Sequence, residues 1–225
     1  MNRVPFHTLE DARTGAPRVR AHLDAGGLIA YPTETVYGIG GLLTRQALQS
    51  LAALKNRDAD RPVLVLSHDP RRIKQLQWND AALILADRFW PGPLTIALAA
   101  EPDAFEAPVL SAAGTVAIRH TSQPALLTLL ALLDAPITST SANLPGEPPA
   151  TNADALAALD MHHTHDALDV RGHSILILDG GTLPARQPST VIDCAGPTPR
   201  LIRAGAVPRE LLEAALNSGG FSLDG

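Results

Sequence analysis

Cysteine is nearly missing from this 225-residue chain: Cys194 stands alone, so no internal disulfide can form. A reducing cytoplasm is the expected setting. Long apolar runs are missing too, since none reaches the roughly 18 residues that a membrane-spanning helix needs. The opening stretch MNRVPFHTLEDARTG holds no apolar segment, which argues against a secretory leader. Several catalytic signatures are absent. The chain has no GxxxxGK[ST] phosphate loop, no GxGxxG after a strand, no HExxH metal pair and no GxSxG nucleophile elbow. Lysine is scarce as well. Of 18 basic residues sixteen are Arg and two are Lys, at positions 55 and 74. Where Arg is the default cation, a Lys marks a place that suits a compact ammonium. The net charge of −5 argues against a surface built to coat nucleic acid.

The residues present are those of an ordinary soluble protein, 45% hydrophobic and 18% charged, long enough to bury a sizeable core. Periodicity predicts a helix over TLEDARTGAPRVRAHLDAGG, ended by Gly26 and Gly27, and a buried strand at LIAY. Thr44 caps a helix over RQALQSLAALKNR, with Leu48, Leu51 and Leu54 on one face. Asn79 caps another over DAALILADRFW, and QPALLTLLALLD and NADALAAL are two more. PVLVLS, PLTIALAA, TVAIRH, PITST, SILILDGG, STVIDC and PRLIRAG read as strands. PRELLEAALNS is a helix with Pro208 suited to its first turn. Helices and strands alternate early and strands cluster late. This predicts the α/β class: one domain over 1–225, with a mixed parallel and antiparallel sheet and packed helices.

Polar residues crowd the ends of the apolar strands. Thr33, Glu34 and Thr35 follow the first, Arg119 follows TVAI, and residues 139–143 follow APIT. In open α/β sheets ligands bind off strand ends, so these segments are expected to converge on one pocket. The same residue types also cap helices and build turns. Lys55, Arg57 and Arg61 in LKNRDADRP lie at a helix end, where the dipole favours cations and where they can also clamp a phosphate or carboxylate. The histidines at 162, 163, 165 and 173 match no zinc spacing and are expected in a solvated loop over 160–173, so no protein-held metal is predicted. Cys194 reads as a small buried residue, not a nucleophile, and Trp78 and Trp90 as helix-end packing.

Taken in order, YPTETVYGIGG, KNR, WPGPLT, TVAIRH, TSTSANLPGEPP, PSTVID and LIRAG resemble the YrdC-type threonylcarbamoyl-adenylate synthases, over roughly residues 18–207. The resemblance implies an α/β sheet around a positively lined cavity. It implies joining of L-threonine, bicarbonate and ATP, with Mg²⁺, into threonylcarbamoyl-AMP and pyrophosphate for tRNA modification. By motif, Lys55, Arg57, Ser141 and Asn143 become the catalytic set. Thr35, Arg119 and Ser139 become the threonine pocket, and Arg57, Thr115, Ser141, Ser189 and Arg203 the nucleotide contacts. Gly38 is expected to let the backbone turn there. The implied partners are a downstream threonylcarbamoyl transferase and tRNA or double-stranded RNA, with no membrane.

The chain departs from the family pattern in places. Asp58 follows Arg57, Arg61 precedes Pro62, Leu66 stands where some members have His, and Pro149 where a Ser is found. Arg61 is expected to supply a phosphate contact in place of Asn. The extra C-terminal domain of longer relatives is expected to be missing. Two other readings compete. One is a non-catalytic RNA-binding member of the same fold, favoured by Arg57, Arg61, Arg71, Arg72 and Lys74 but opposed by the acidic total. The other is a carbamoyl-transfer module, opposed by the single cysteine.

Overall fold

The computed structural model describes residues 2–55, 62–143, 147–156 and 175–225. Helix starts fall where capping side chains put them. Thr8 opens α1 (Leu9–Asp24) with a capping box: its hydroxyl accepts from the Asp11 amide while Asp11 accepts from the Thr8 amide. Thr44 caps α2 (Arg45–Leu54) and Asn79 caps α3 (Asp80–Phe89). Gln123 caps α4 (Pro124–Leu133), with Pro124 in the first turn where its missing N–H is not needed. The last helix, α5 (Arg209–Asn217), differs from expectation in that Pro208 is the capping position itself and offers no side-chain bond.

The expected strands form as β2 (Ile29–Pro32), β4 (Leu64–Leu66), β6 (Leu94–Ala100), β7 (Thr115–Arg119), β8 (Ile137–Ser141), β9 (Leu176–Asp179), β10 (Thr190–Asp193) and β11 (Arg200–Arg203). Three more were not expected: β1 (Arg3–Pro5), β3 (Tyr37–Gly40) and β5 (Leu76–Gln77). Two are too short to show a pattern, and β3 carries two glycines, which read as turn. All join one sheet in the order β1-β9-β2-β3-β8-β4-β7-β6-β10-β11, with β5 on β6. The β1/β9, β2/β9, β4/β7 and β6/β10 pairs are parallel and the others antiparallel. The sheet is mixed and carries helices on both faces, the α/β architecture that the sequence implies.

Gly38 is the correction within β3. It does not turn the backbone; it pairs with Ser141 in the sheet. A Cβ there would sit 2.9 Å from the Tyr31 ring and 3.1 Å from the Ser139 hydroxyl, so the glycine serves a close approach. Gly40 is tighter still, because a Cβ would meet the Thr138 carbonyl oxygen at 1.8 Å.

Two cores lie on opposite faces. On one, α2, α3 and α5 bury Leu48, Leu51, Leu85, Leu212 and Leu216 against Leu94, Ile96, Leu98, Val116, Ile118 and Ile192. On the other, α1 and α4 pack Val19, Leu23, Leu126 and Leu130 over Ile29, Tyr31, Leu176 and Leu178. That second layer covers β9 and β2, reaches Ile137 on β8 and Leu66 on β4, and includes no residue of β7, β6 or β10. The half left uncovered is where a ligand fits. Trp78 and Trp90 meet edge to face with centroids 5.9 Å apart, and Trp90 Nε1 donates to the Leu94 carbonyl, the helix-end packing expected of them. Among the described residues no helix is long and apolar enough to cross a membrane.

Candidate active-site cavity

A cavity of about 640 Å³ lies on the uncovered half of the second face. Period-two alternation makes its floor. Along β7, Val116 and Ile118 point into the apolar core while Ala117 and Arg119 line the cavity. On β6 and β10 the same rule sends Thr95 and Val191 into it and their neighbours away. Gly38 on β3 and Ser139 and Ser141 on β8 continue the floor. The polar strand ends singled out in the sequence therefore do converge, and of the residues 33–35 and 139–143, Glu34 and Ala142 alone do not line the wall.

One corner is built from two segments far apart in sequence. Lys55 is the C-cap of α2, and its Nζ donates to the Ser141 carbonyl at 2.9 Å, the Asn143 carbonyl at 2.5 Å and Asn143 Oδ1 at 2.9 Å. The Ser141 hydroxyl also donates to Asn143 Oδ1 at 2.7 Å, and Asn143 Nδ2 donates to the Glu147 carbonyl. Lys55 is 8% exposed and still lines the cavity. It does two things at once: it ties down the Ser-x-Asn turn and supplies positive charge to the wall. Arg57 and Arg61, expected beside it, lie outside the described residues, as do Asp58 and the histidines at 162, 163, 165 and 173.

The opposite corner holds Arg119. Its Nη2 lies 2.7 Å from Glu34 Oε1, with side chains only 5% and 11% exposed. Nε donates to the Gly92 carbonyl at 3.3 Å and Nη2 to the Thr35 hydroxyl at 3.4 Å. Glu34 Oε2 accepts from the Thr121 hydroxyl at 2.6 Å, and Thr121 in turn accepts from the Gln123 amide. Thr33 shapes the turn, since its hydroxyl donates to the Val36 carbonyl and accepts from the Thr35 amide. Burial alone would raise the Glu34 carboxyl, but the Arg119 charge and the bonds from Arg119 and Thr121 reverse this and hold it below its ordinary value. The sequence reading gave Arg119 a role and missed its carboxylate partner. The signal was there: Glu34 is the one carboxylate between two threonines at a buried strand end.

A third cation closes the far side. Arg203 on β11 donates from Nε and Nη2 to the Ser189 carbonyl, at 3.2 and 2.8 Å, and Ser189 Oγ shares a hydrogen bond with Thr95. Burial first, and repulsion from Arg119 second, push its guanidinium below the usual value. Thr115 begins β7, its hydroxyl bonds Ser111, and it is not among the residues that line the cavity. Leu66 is buried in the core under α4. Cys194 is buried, and burial pushes its thiol up to about 12, which leaves no thiolate for nucleophilic work.

The lining offers hydroxyls, an amide and cations, and no carboxylate among the described residues. No group of three His, Cys, Asp or Glu that could hold a metal is present among them. Such a wall suits an anionic ligand, and it holds no nucleophile–base pair among the described residues.

The Sua5/YciO/YrdC family model, described as "Telomere recombination", matches residues 21–205. The threonylcarbamoyl-AMP synthase of Bacillus subtilis (strain 168) is 34% identical over 213 residues, which are 92% of this chain and 59% of that protein. The threonylcarbamoyl-AMP synthase of Pyrococcus abyssi is 36% identical over 196 residues, 85% of this chain and 54% of that one. The chain thus spans a little over half the length of these relatives. The crystal structure of P. abyssi Sua5 complexed with L-threonine superposes with a TM-score of 0.80 at 31% identity, covering 98% of this chain and 61% of that one.

Proposed function

Because this chain belongs to the Sua5/YciO/YrdC family, we propose that it joins L-threonine, bicarbonate and ATP into threonylcarbamoyl-AMP and pyrophosphate. The observation that carries this reading is a cavity with Lys55, Arg119 and Arg203 in its wall, hydroxyls around them and no nucleophile–base pair among the described residues. The threonine amine and bicarbonate condense to a carbamate with loss of water. A carbamate oxygen then attacks the α-phosphorus, and the bond to the bridging oxygen of pyrophosphate breaks. Such a transfer needs positioning and charge stabilisation from the protein more than covalent chemistry.

In this reading Arg119 receives the threonine carboxylate through Nη1, which has no partner among the described residues, while Thr35 and Ser139 supply hydroxyl contacts. Lys55 sets positive charge beside the phosphates and, through Ser141 and Asn143, fixes the turn that faces them; Arg57 and Arg61 are assigned to the same end. Ser189 and Arg203 hold the nucleotide. Mg²⁺ enters with ATP. Bound to the triphosphate, it would offset the negative charge that the phosphates bring to the cations of the wall. The product is a labile mixed anhydride, so a transferase that delivers it to tRNA, in the cytoplasm, completes the scheme.

RNA binding without catalysis has lost part of its support. Arg71 and Arg72, from the basic cluster that favoured it, are ion-paired with Asp87 and Asp134. The test is pyrophosphate release with each component omitted in turn. The expected outcome is that release needs L-threonine, bicarbonate and Mg²⁺ together; equal release without threonine would end this reading.

A further inference from the structure

We propose that Glu34 is a positioning residue: it holds Arg119 by one edge, so that the guanidinium meets a bound amino-acid carboxylate with Nη1. This rests on the reading that the cavity takes L-threonine. Three observations carry it. First, Glu34 meets a partner at each oxygen: Oε1 lies 2.7 Å from Arg119 Nη2 in a buried ion pair, and Oε2 accepts a hydrogen bond from the Thr121 hydroxyl at 2.6 Å. The ion pair lacks hydrogen-bond alignment at Oε1, so the Thr121 bond is what fixes the carboxylate. Second, the restraint runs back to the start of α4, where the Gln123 amide donates to Thr121. The anchor therefore stands on a helix packed into a core, not on the mobile end of a side chain. Third, the same guanidinium has further contacts, Nε donating to the Gly92 carbonyl at 3.3 Å and Nη2 to the Thr35 hydroxyl at 3.4 Å. Nε and Nη2 are used up, and Nη1 has no partner among the described residues, in a side chain that lines the cavity.

The pairing also sorts charge. A guanidinium beside a carboxylate is close to neutral as a unit and binds by direction of its N–H groups. It therefore suits a single carboxylate and offers little to a triphosphate. Lys55 is held instead by oxygens of the backbone and of an amide. The two ends of the cavity would thereby take the amino acid and the nucleotide in a fixed sense.

The test uses Glu34→Ala and Glu34→Gln in the full chain, with native melting profiles required of both. Calorimetric titration with L-threonine and, separately, with the magnesium complex of ATP reads the two ends. Glu34→Ala is expected to weaken threonine binding roughly 10- to 100-fold, the worth of a hydrogen bond to a charged group. ATP binding should stay within about twofold. Glu34→Gln keeps the shape and a bonding oxygen and should fall between, a partial rescue that a purely electrostatic role would not give. Unchanged threonine affinity in Glu34→Ala would overturn the proposal, as would equal losses for both ligands.

A second readout separates this proposal from the functional reading. In ligand-free protein labelled with ¹⁵N-arginine, Arg119 Nε–H should exchange slowly in the wild type and rapidly in Glu34→Ala. Slow exchange retained in the variant would overturn positioning whatever the ligand. Wild-type protein that binds no threonine would instead remove the reading of the cavity, and the exchange rates would still decide the role of Glu34.

Discussion

The two charged corners of the cavity solve the same problem in opposite ways. Arg119 is buried and balanced by a carboxylate, whereas Lys55 is buried and held by neutral oxygens from two backbone carbonyls and one amide. Both arrangements offset the cost of taking a cation out of water. They leave different surfaces behind. The carboxylate-paired corner presents directed donors with little net charge, and the other presents an ammonium seated among backbone and amide oxygens. In a chain with a net charge of −5, cations inside a cleft are where an anion gains most.

The comparison breaks most visibly at Lys55. Lys55→Ala should lower turnover by roughly 10²–10³, as the loss of one preorganised donor does. It should also release the Ser141–Asn143 turn, because three of the bonds that hold it end at Nζ. Steady-state pyrophosphate release on folded variant checks the first effect, and amide exchange at Asn143 the second. Wild-type turnover in a folded Lys55→Ala protein would reduce this corner to an ordinary helix end.

Acid sharpens the comparison through Glu34. The Glu34 carboxyl is held below its ordinary value of 4.5, with burial opposing and Arg119 and Thr121 prevailing. Its contribution to stability is thus fully present above about pH 4.5 and is lost as pH falls through the lower folded value. Melting temperature measured downward from pH 6 should fall more steeply in the wild type than in Glu34→Gln. Parallel curves would mean that the pair contributes nothing to folding.

The smallest effect is expected just off the floor. Thr115→Ala should leave turnover within about twofold, within the scatter usual for surface substitutions away from a site. Its hydroxyl serves Ser111 and not the cavity. A large loss would mean that the nucleotide reaches farther along β7 than the cavity wall does.

The position of Thr115 shows what the sequence can and cannot tell. The alternation in TVAIR correctly puts residues 115, 117 and 119 on one face. It gives no hint of where along that face the cavity ends, and four residues of strand span about 13 Å. The helices were legible because their caps are local: Thr8, Thr44 and Asn79 each bond an amide three residues on. β3 was not, because its two glycines are there for contacts with Tyr31, Ser139 and Thr138 that only the folded sheet creates. The pairing of Thr35 and Glu34 with Arg119 crosses some 84 residues, and that of Lys55 with Ser141 crosses 86. Family motifs named the ends of those links. The bonds between them belong to tertiary structure.

The strands beneath the cavity carry one further consequence. Each serves two masters, with Val116 and Ile118 answering to the apolar core and Ala117 and Arg119 to whatever occupies the cleft. Odd and even positions of one short segment can therefore drift under separate selection. A lineage could retune its ligand by changing every second residue of β6, β7 and β10 while the foundation beneath stays intact. An engineer wanting a new substrate has the same licence, and the same boundary.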